Sequence, residues 1–116
     1  MTADEPTLIG TDTGPTPYDL LAAALGACTS MTLTLYAERK QWPLESITVL
    51  VRHGKIHASD CEDCESTDGR VGRIDTAIEL GGPLSDEQRE RLLEIANKCP
   101  VHRTLKSEIN IQTRLV

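Results

Sequence analysis

The feature that most constrains this chain is a run of 18 residues without a charged side chain, LLAAALGACTSMTLTLYA at residues 20–37. Just before it, Thr16 can cap a helix and Pro17 suits the first helical position. Asp19 stands where the acid of a capping box belongs. The sequence therefore predicts one long helix from Pro17 to about Lys40, apolar on nearly every side.

This charge-free segment just reaches the lower length limit for a membrane-spanning helix. It is rich in Ala, Gly, Ser and Thr, has few large apolar side chains, and has no second candidate span beside it. We therefore expect a helix buried within a soluble protein, with no membrane as partner. The first residues carry no apolar signal region, so the cytoplasm is the expected location.

Length and charge limit the fold and the partners. A chain of 116 residues is predicted to form a single domain over residues 1–116, with residues 1–15 as an N-terminal arm. The net charge is −6, and the sequence contains one Trp, two Tyr and no Phe. Because it has neither a basic stripe nor an aromatic stacking surface, no nucleic-acid partner is expected.

Three segments alternate apolar and polar residues with the period of a β-strand: residues 46–57, 73–82 and 108–115. Three strands with two long helices predict a thin α+β layer structure. A sheet of three strands covers only part of an apolar helix. We therefore expect the rest of the long helix to pack against a second copy of the chain.

A second amphipathic helix is predicted after the capping box of Ser85 and Gln88, and it is expected to end near Lys98. Its apolar residues, expected to face inward, are Leu92, Leu93, Ile95 and Ala96.

Pro100 predicts the start of another short helix directly after Cys99. A helix N-terminus with His102 and Arg103 in its first turn favours a thiolate at Cys99. The alternative is that Cys99 only fills space and that Pro100 is ordinary helix punctuation. Cys28 lies inside the long helix, where the alternative is that it serves only as a small apolar core residue. The two cysteines could form a redox pair, but their spacing does not show that the sulfur atoms meet.

A second group of possible ligands lies in HGKIHASDCEDC, which contains His53, His57, Cys61 and Cys64. The C-x2-C spacing is common in zinc sites. His53 and His57 lie about 13 Å apart on an extended strand, so they need a turn between them to bind one ion. Zinc binding through His57, Cys61 and Cys64 and a solvated loop with exposed thiols both remain open.

Two segments together, GPTPYDLLAAALGACTSMTL and CPVHRTL, resemble the OsmC/Ohr family of thiol-dependent hydroperoxide reductases. The resemblance runs from about Gly14 to Leu115, and the CPVHRTL form is similar to the OsmC-like branch. It implies two long helices packed on a small antiparallel sheet in an intertwined homodimer. It also implies a peroxidatic Cys28, a resolving Cys99, an organic hydroperoxide substrate and a reducing dithiol, of the lipoyl type in several relatives.

Three features depart from the family pattern. Tyr18 stands where the family's peroxidases have a Glu, with Asp19 one position later. No Arg precedes Arg39, although the family's activating Arg comes from a strand ahead of the first helix. The N-terminal strands themselves are expected to be missing or reduced. His102 or Arg103 could replace the missing charge if either reached Cys28.

The sequence thus leads to a thiol-dependent peroxidase of peroxide or osmotic stress defence that needs no bound cofactor. Two other functions remain open: a dimeric module without peroxidase chemistry that binds a small apolar ligand, and a metal-binding protein.

Overall fold

The structure is a computed structural model that describes residues 15–57 and 70–116. Within these residues the chain forms a helix, two strands and two further helices. In order, they are α1 (Pro17–Lys40), β1 (Ser46–His57), β2 (Arg70–Gly81), α2 (Asp86–Ala96) and α3 (Pro100–Lys106). The two strands pair as an antiparallel sheet. The predicted α+β class with a small antiparallel sheet is confirmed, and residues 1–14 of the predicted arm at residues 1–15 lie outside the described residues.

Helix α1 begins at the predicted residue because its first turn carries a reciprocal cap. The backbone N–H of Asp19 donates to Thr16 Oγ1 at 3.1 Å, and the N–H of Thr16 donates to Asp19 Oδ2 at 3.0 Å. Pro17 needs no hydrogen-bond acceptor at the first helical position. The helix ends at Lys40, as the sequence predicts.

Helices α2 and α3 also begin where local signals place them. Ser85 Oγ accepts from the N–H of Gln88 at 3.1 Å, and Gln88 Oε1 accepts from the N–H of Ser85 at 3.0 Å. This completes the predicted capping box of α2. Helix α3 starts at Pro100 with Cys99 as its N-cap.

The described chain falls into two compact units. Of the described residues, the first unit contains 15–26, 49–57 and 70–78, and the second contains 27–48 and 79–116. Each unit therefore takes part of α1 and part of the sheet. The prediction of a single domain over residues 1–116 stays a prediction.

In the first unit, Gly26 allows α1 to approach β1 closely. A Cβ added to Gly26 would lie 3.3 Å from Val51 Cγ2 and 3.9 Å from Val49 Cγ1. Val49 and Val51 are half-buried, whereas Leu50 and Arg52 between them are exposed. The predicted alternation of β1 therefore holds, with its valine face toward the helix. Buried side chains of this part of α1 are Ala22 and Leu25.

The second unit contains most of the buried side chains in the described part of the chain. Its buried side chains are Thr29, Leu33, Ala37, Leu84, Leu92, Ala96 and Cys99. Arg91 Nε donates to the hydroxyl of Tyr36 at 3.1 Å, which joins α2 to α1. Arg89 donates to the carbonyls of Leu80 and Gly82, which ties α2 to the end of β2.

The predicted inward face of α2 is partly wrong. Leu92 and Ala96 are buried and Ile95 is half-buried, but the side chain of Leu93 is 57% exposed. Leu92 and Ala96 lie four residues apart on one helix face, and Leu93 is rotated by about 100° from Leu92. One contact face therefore covers the first two side chains and leaves the third outside.

The predicted third strand at residues 108–115 is also wrong. Residues 107–116 are all exposed and form neither helix nor strand. Alternation shows which side chains can share a face, but a strand also needs a neighbouring edge for its backbone hydrogen bonds. Within the described residues, the sheet contains β1 and β2 only.

Helix α1 is only partly covered in the single chain, as the sequence predicts, because Met31 is 65% exposed and Leu35 57% exposed. By length and composition alone, α1 is the one helix in the described residues that could cross a membrane. A core helix of a soluble protein passes the same test, so this observation is weak. The absence of a membrane partner stays a prediction.

Candidate functional site

Cys99 occupies a buried position at the junction of α2 and α3. Its backbone is extended, with φ −64° and ψ 148°, which is typical of a residue that caps a helix. Its Sγ accepts a hydrogen bond from the backbone N–H of His102 at 3.3 Å, so the sulfur atom acts as the cap. The side chain is 0% exposed. The predicted helix N-terminus at Cys99 is confirmed, and it holds the sulfur atom in place.

Thr29 of α1 is the second side chain at this site, and the sequence analysis missed it. Its Oγ1 lies 3.7 Å from Cys99 Sγ, at a distance where either atom can donate the hydrogen bond. Thr29 directly follows Cys28, which is half-buried. Cys28 and Cys99 are both free thiols. The contact therefore joins the cap of α3 to α1 next to Cys28.

His102 and Arg103 lie in the first turn of α3. His102 contributes its backbone N–H to the cap, its side chain is half-buried, and Arg103 is exposed. Both line an open pocket of about 550 Å³ together with Asn97, Lys106 and Ser107. The pocket carries positive charge on a chain whose net charge is −6. In the part of the chain that the structure describes, neither side chain makes a hydrogen bond to Cys28.

Tyr18 and Asp19 belong to a separate polar cluster in the first unit. His53 Nε2 lies 3.0 Å from Asp19 Oδ1, and the rings of Tyr18 and His53 are 5.7 Å apart at 31°. The hydrogen bond from His53, with that from the backbone of Thr16, lowers the pKa of Asp19 below its ordinary value of 3.8. We call these residues (Thr16, Tyr18, Asp19 and His53) the first-turn cluster.

The structure thus brings together some of the predicted site residues. It joins Cys99 to the first turn of α3 and, through Thr29, to α1, and it separately joins Tyr18 and Asp19 to His53. Cys61 and Cys64 lie outside the described residues, as does the side chain of His57. Among the side chains that the structure describes, no group of three or more His, Cys, Asp or Glu gathers into a metal site.

Comparison with known proteins identifies the family. The profile of the OsmC-like protein family matches residues 10–114 of this chain. The match covers most of the sequence and includes Cys28 and Cys99. The chain belongs to the OsmC-like family, which confirms the resemblance seen in the sequence. No curated protein sequence matches the chain.

Several solved structures are similar in fold. An OsmC-like protein from Mycoplasma pneumoniae has a TM-score of 0.68 and 24% identity, over 91% of this chain and 72% of its own. An organic hydroperoxide resistance protein OsmC from Legionella pneumophila has a TM-score of 0.66 and 19% identity, over 88% of this chain and 69% of its own. The organic hydroperoxide resistance protein OhrB of Bacillus subtilis has a TM-score of 0.62 and 20% identity, over 82% of this chain and 65% of its own. At these sequence identities, the similarity to the solved structures shows the fold of this chain.

Proposed function

We propose that this protein is a thiol-dependent peroxidase that reduces organic hydroperoxides in peroxide or osmotic stress defence. Cys28 is the peroxidatic cysteine and Cys99 the resolving cysteine. One observation carries the proposal: the buried sulfur atom of Cys99 contacts α1 at Thr29, the residue next to Cys28. Membership of the OsmC-like family and the hydroperoxide resistance proteins among the similar structures support it.

The chemistry needs only the two thiols and a reductant. The Cys28 thiolate attacks the terminal peroxide oxygen, the O–O bond breaks, and the alcohol leaves with a proton, so that Cys28 becomes a sulfenic acid. The Cys99 sulfur then attacks the Cys28 sulfur. A disulfide forms, the S–O bond breaks, and the hydroxyl leaves as water with the Cys99 proton. A reducing dithiol, of the lipoyl type, restores both thiols and becomes a disulfide itself.

Activation of Cys28 has to differ from the pattern that the family implies. Asp19 is already engaged by His53 and by the backbone of Thr16. The rings of Tyr18 and His53 lie 5.7 Å apart at a tilt of 31°, and the phenol of Tyr18 lacks the carboxylate of the Glu that the family pattern has at this position. His102 and Arg103 lie in the first turn of α3, the helix that Cys99 caps, and we propose that one of them supports the Cys28 thiolate.

We further propose that the protein works as a homodimer in the cytoplasm. The exposed side chains of Met31 and Leu35 leave an apolar face of α1 open in the single chain. The exposed residues 107–116 include three large apolar side chains, Ile109, Ile111 and Leu115, which are two and four residues apart. A second copy of the chain is the partner that would cover both, because burying large apolar side chains is favourable.

A single-turnover experiment tests the peroxidase. Reduced protein is mixed with one equivalent of cumene hydroperoxide, and free thiols and intact mass are followed. We expect the wild type to lose one pair of thiols and the mass of one pair of hydrogen atoms. Cys99→Ser should stop at a sulfenic acid on Cys28, and Cys28→Ser should consume no peroxide above background.

The double variant Cys61→Ser with Cys64→Ser is the matched control, because it removes the other cysteine pair. If that variant, rather than Cys28→Ser, abolished peroxide consumption, the assignment of Cys28 and Cys99 would be wrong. Thiols that survive the hydroperoxide in the wild type would favour the second candidate, a dimeric module that binds a small apolar ligand. The departures at Tyr18 and Asp19 are the observations that favour that candidate.

The third candidate is metal binding through His57, Cys61 and Cys64, which the C-x2-C spacing supports. Elemental analysis of protein purified without an affinity tag tests it directly. Zinc near one ion per chain would support the site, and its absence would end the hypothesis.

A further inference from the structure

Thr29 is an exception in the interior of the protein. In the described part of the chain, it is the one polar side chain among those that are buried, and it is 2% exposed. The other buried side chains are alanine, leucine and the thiol of Cys99. Thr29 also lies in the middle of α1, where a β-branched residue is not a preferred helix former. Neither helix propensity nor core packing accounts for a hydroxyl at this position.

A buried hydroxyl is costly unless it is hydrogen-bonded, and valine would fill nearly the same volume without that cost. The hydroxyl of Thr29 meets the sulfur atom of Cys99 at 3.7 Å. The sulfur atom also accepts the backbone N–H of His102. Two groups from different helices therefore converge on one buried sulfur atom.

We propose that Thr29 is a positioning residue for Cys99: its hydroxyl holds the sulfur atom against α1 and donates a hydrogen bond to it when it becomes a thiolate. The inference rests on the proposed function, in which Cys99 resolves the sulfenic acid of Cys28. It goes further by assigning a role to a residue that is not a cysteine.

The role of Thr29 follows from the change in charge on the Cys99 sulfur atom while it attacks the sulfenic acid of Cys28. While the sulfur atom carries its proton, the S–H can donate to the Thr29 oxygen. When the proton leaves Cys99 toward the departing hydroxyl of Cys28, negative charge develops on the sulfur atom, and the Thr29 hydroxyl turns to donate. A hydrogen bond to an ionised acceptor is about twice as strong as one between neutral groups. Thr29 therefore favours the reacting form over the resting form.

The test measures the lifetime of the Cys28 sulfenic acid after one equivalent of cumene hydroperoxide, with dimedone trapping and intact mass as the readout. This lifetime begins only after the peroxide is consumed, so the rate of the first step does not enter it. In Thr29→Val we expect the lifetime to increase about ten-fold, which is the effect of losing one hydrogen bond to a charged group. Thr29→Ser, which keeps the hydroxyl, should restore a short lifetime.

A second measurement needs no peroxide. In a Cys28→Ser background, the rate at which methyl methanethiosulfonate modifies Cys99 is followed against pH by peptide mass spectrometry. Adding Thr29→Val should move this profile to higher pH, and adding Thr29→Ser should leave it close to its original position. Thr34→Val, the same substitution at an exposed position of α1, is the matched control and should not move it.

The outcomes separate the two proposals. If the wild type forms no sulfenic acid, the proposed function fails, while the pH profile of Cys99 still decides the role of Thr29. If the Thr29→Val profile coincides with that of the background, Thr29 does not act on the sulfur atom and the positioning role is overturned. A shift that Thr29→Ser shares with Thr29→Val would also overturn it, because the hydroxyl would then not be the cause.

Discussion

The first-turn cluster of the first unit and the Cys99 site of the second unit make similar contacts in different surroundings. In the first, His53 Nε2 and Asp19 Oδ1 lie within hydrogen-bonding distance, and their side chains are 36% and 51% exposed. In the second, a hydroxyl and a backbone N–H meet a thiol that is fully buried. Water competes for the exposed pair and screens its charges, whereas nothing competes in the interior. We therefore expect burial, more than formal charge, to decide which contact controls stability and reactivity.

The largest effect on stability should come from the core of the second unit. We expect Leu92→Ala to lower the free energy of unfolding by about 2–5 kcal/mol, because it leaves a cavity at a fully buried side chain. Chemical denaturation measures the change. Leu93→Ala, one residue away and exposed, is the matched control and should change stability by about 0.5 kcal/mol or less. Equal losses from both would contradict the observed face of α2.

A smaller effect is expected where β2 ends. Gly82 has φ +121°, and a Cβ there would collide with the carbonyl oxygen of Pro43. We expect Gly82→Ala to destabilise the protein by about 1–3 kcal/mol through this backbone strain. Gly72→Ala in the first unit is the control, because a Cβ at Gly72 meets nothing within 4 Å. Thermal unfolding compares the stabilities of the two variants. A larger loss of stability in Gly72→Ala than in Gly82→Ala would contradict the prediction that the second unit is the more sensitive one.

The two capping boxes allow a direct comparison of the units. Ser85→Ala in the second unit and Thr16→Ala in the first each remove one side-chain acceptor from a helix N-terminus. We expect each substitution to lower the free energy of unfolding by about 1 kcal/mol. Urea titrations of both variants with the wild type provide the measurement. A loss confined to Ser85→Ala would mean that the cap in the first unit does not contribute to global stability.

The smallest effect should come from the exposed pair, and it depends on pH. Because hydrogen bonding lowers the pKa of folded Asp19, its stabilising contribution is complete above the unfolded value near 3.8 and is lost as pH falls through the folded pKa. The melting temperature of the wild type should therefore exceed that of Asp19→Asn at neutral pH. The difference between the two melting temperatures should disappear in strong acid.

His53→Phe is the companion variant for this pH series. It keeps an aromatic ring beside Tyr18 but removes the hydrogen bond that contributes most to the lowered pKa of Asp19. Asp19→Asn should then have less effect when it is added to His53→Phe than in the wild type. An undiminished effect would show that the backbone of Thr16, and not His53, determines the behaviour of Asp19.

Local signals in the sequence predicted the starting points of the three helices and of β1, whereas β2 begins at Arg70 and not at residue 73. Thr16 with Asp19, and Ser85 with Gln88, are hydrogen-bonding pairs only three residues apart, so the chain itself brings them together. The first residue of α3 follows from the restricted backbone of Pro100. The bounds of β1 follow from alternation over residues 46–57. Each of these features depends on neighbours along the sequence.

Long-range contacts could not be predicted in the same way. Thr29 lies 70 residues from Cys99, and Asp19 lies 34 residues from His53. The exposure of Leu93 depends on the angle at which α2 meets its neighbours, and a strand at residues 108–115 depends on an edge to pair with. A buried hydroxyl in an apolar helix was the available signal for Thr29, because such a group needs a partner.

The sequence by itself therefore determined the helices, the two strands of the sheet and the two cysteine motifs, because caps, proline and alternation act over a few residues. The tertiary structure decided which side chains are buried and which ones meet. It placed Thr29 on the sulfur atom of Cys99 because close packing brings residues of distant sequence into contact and excludes water between them.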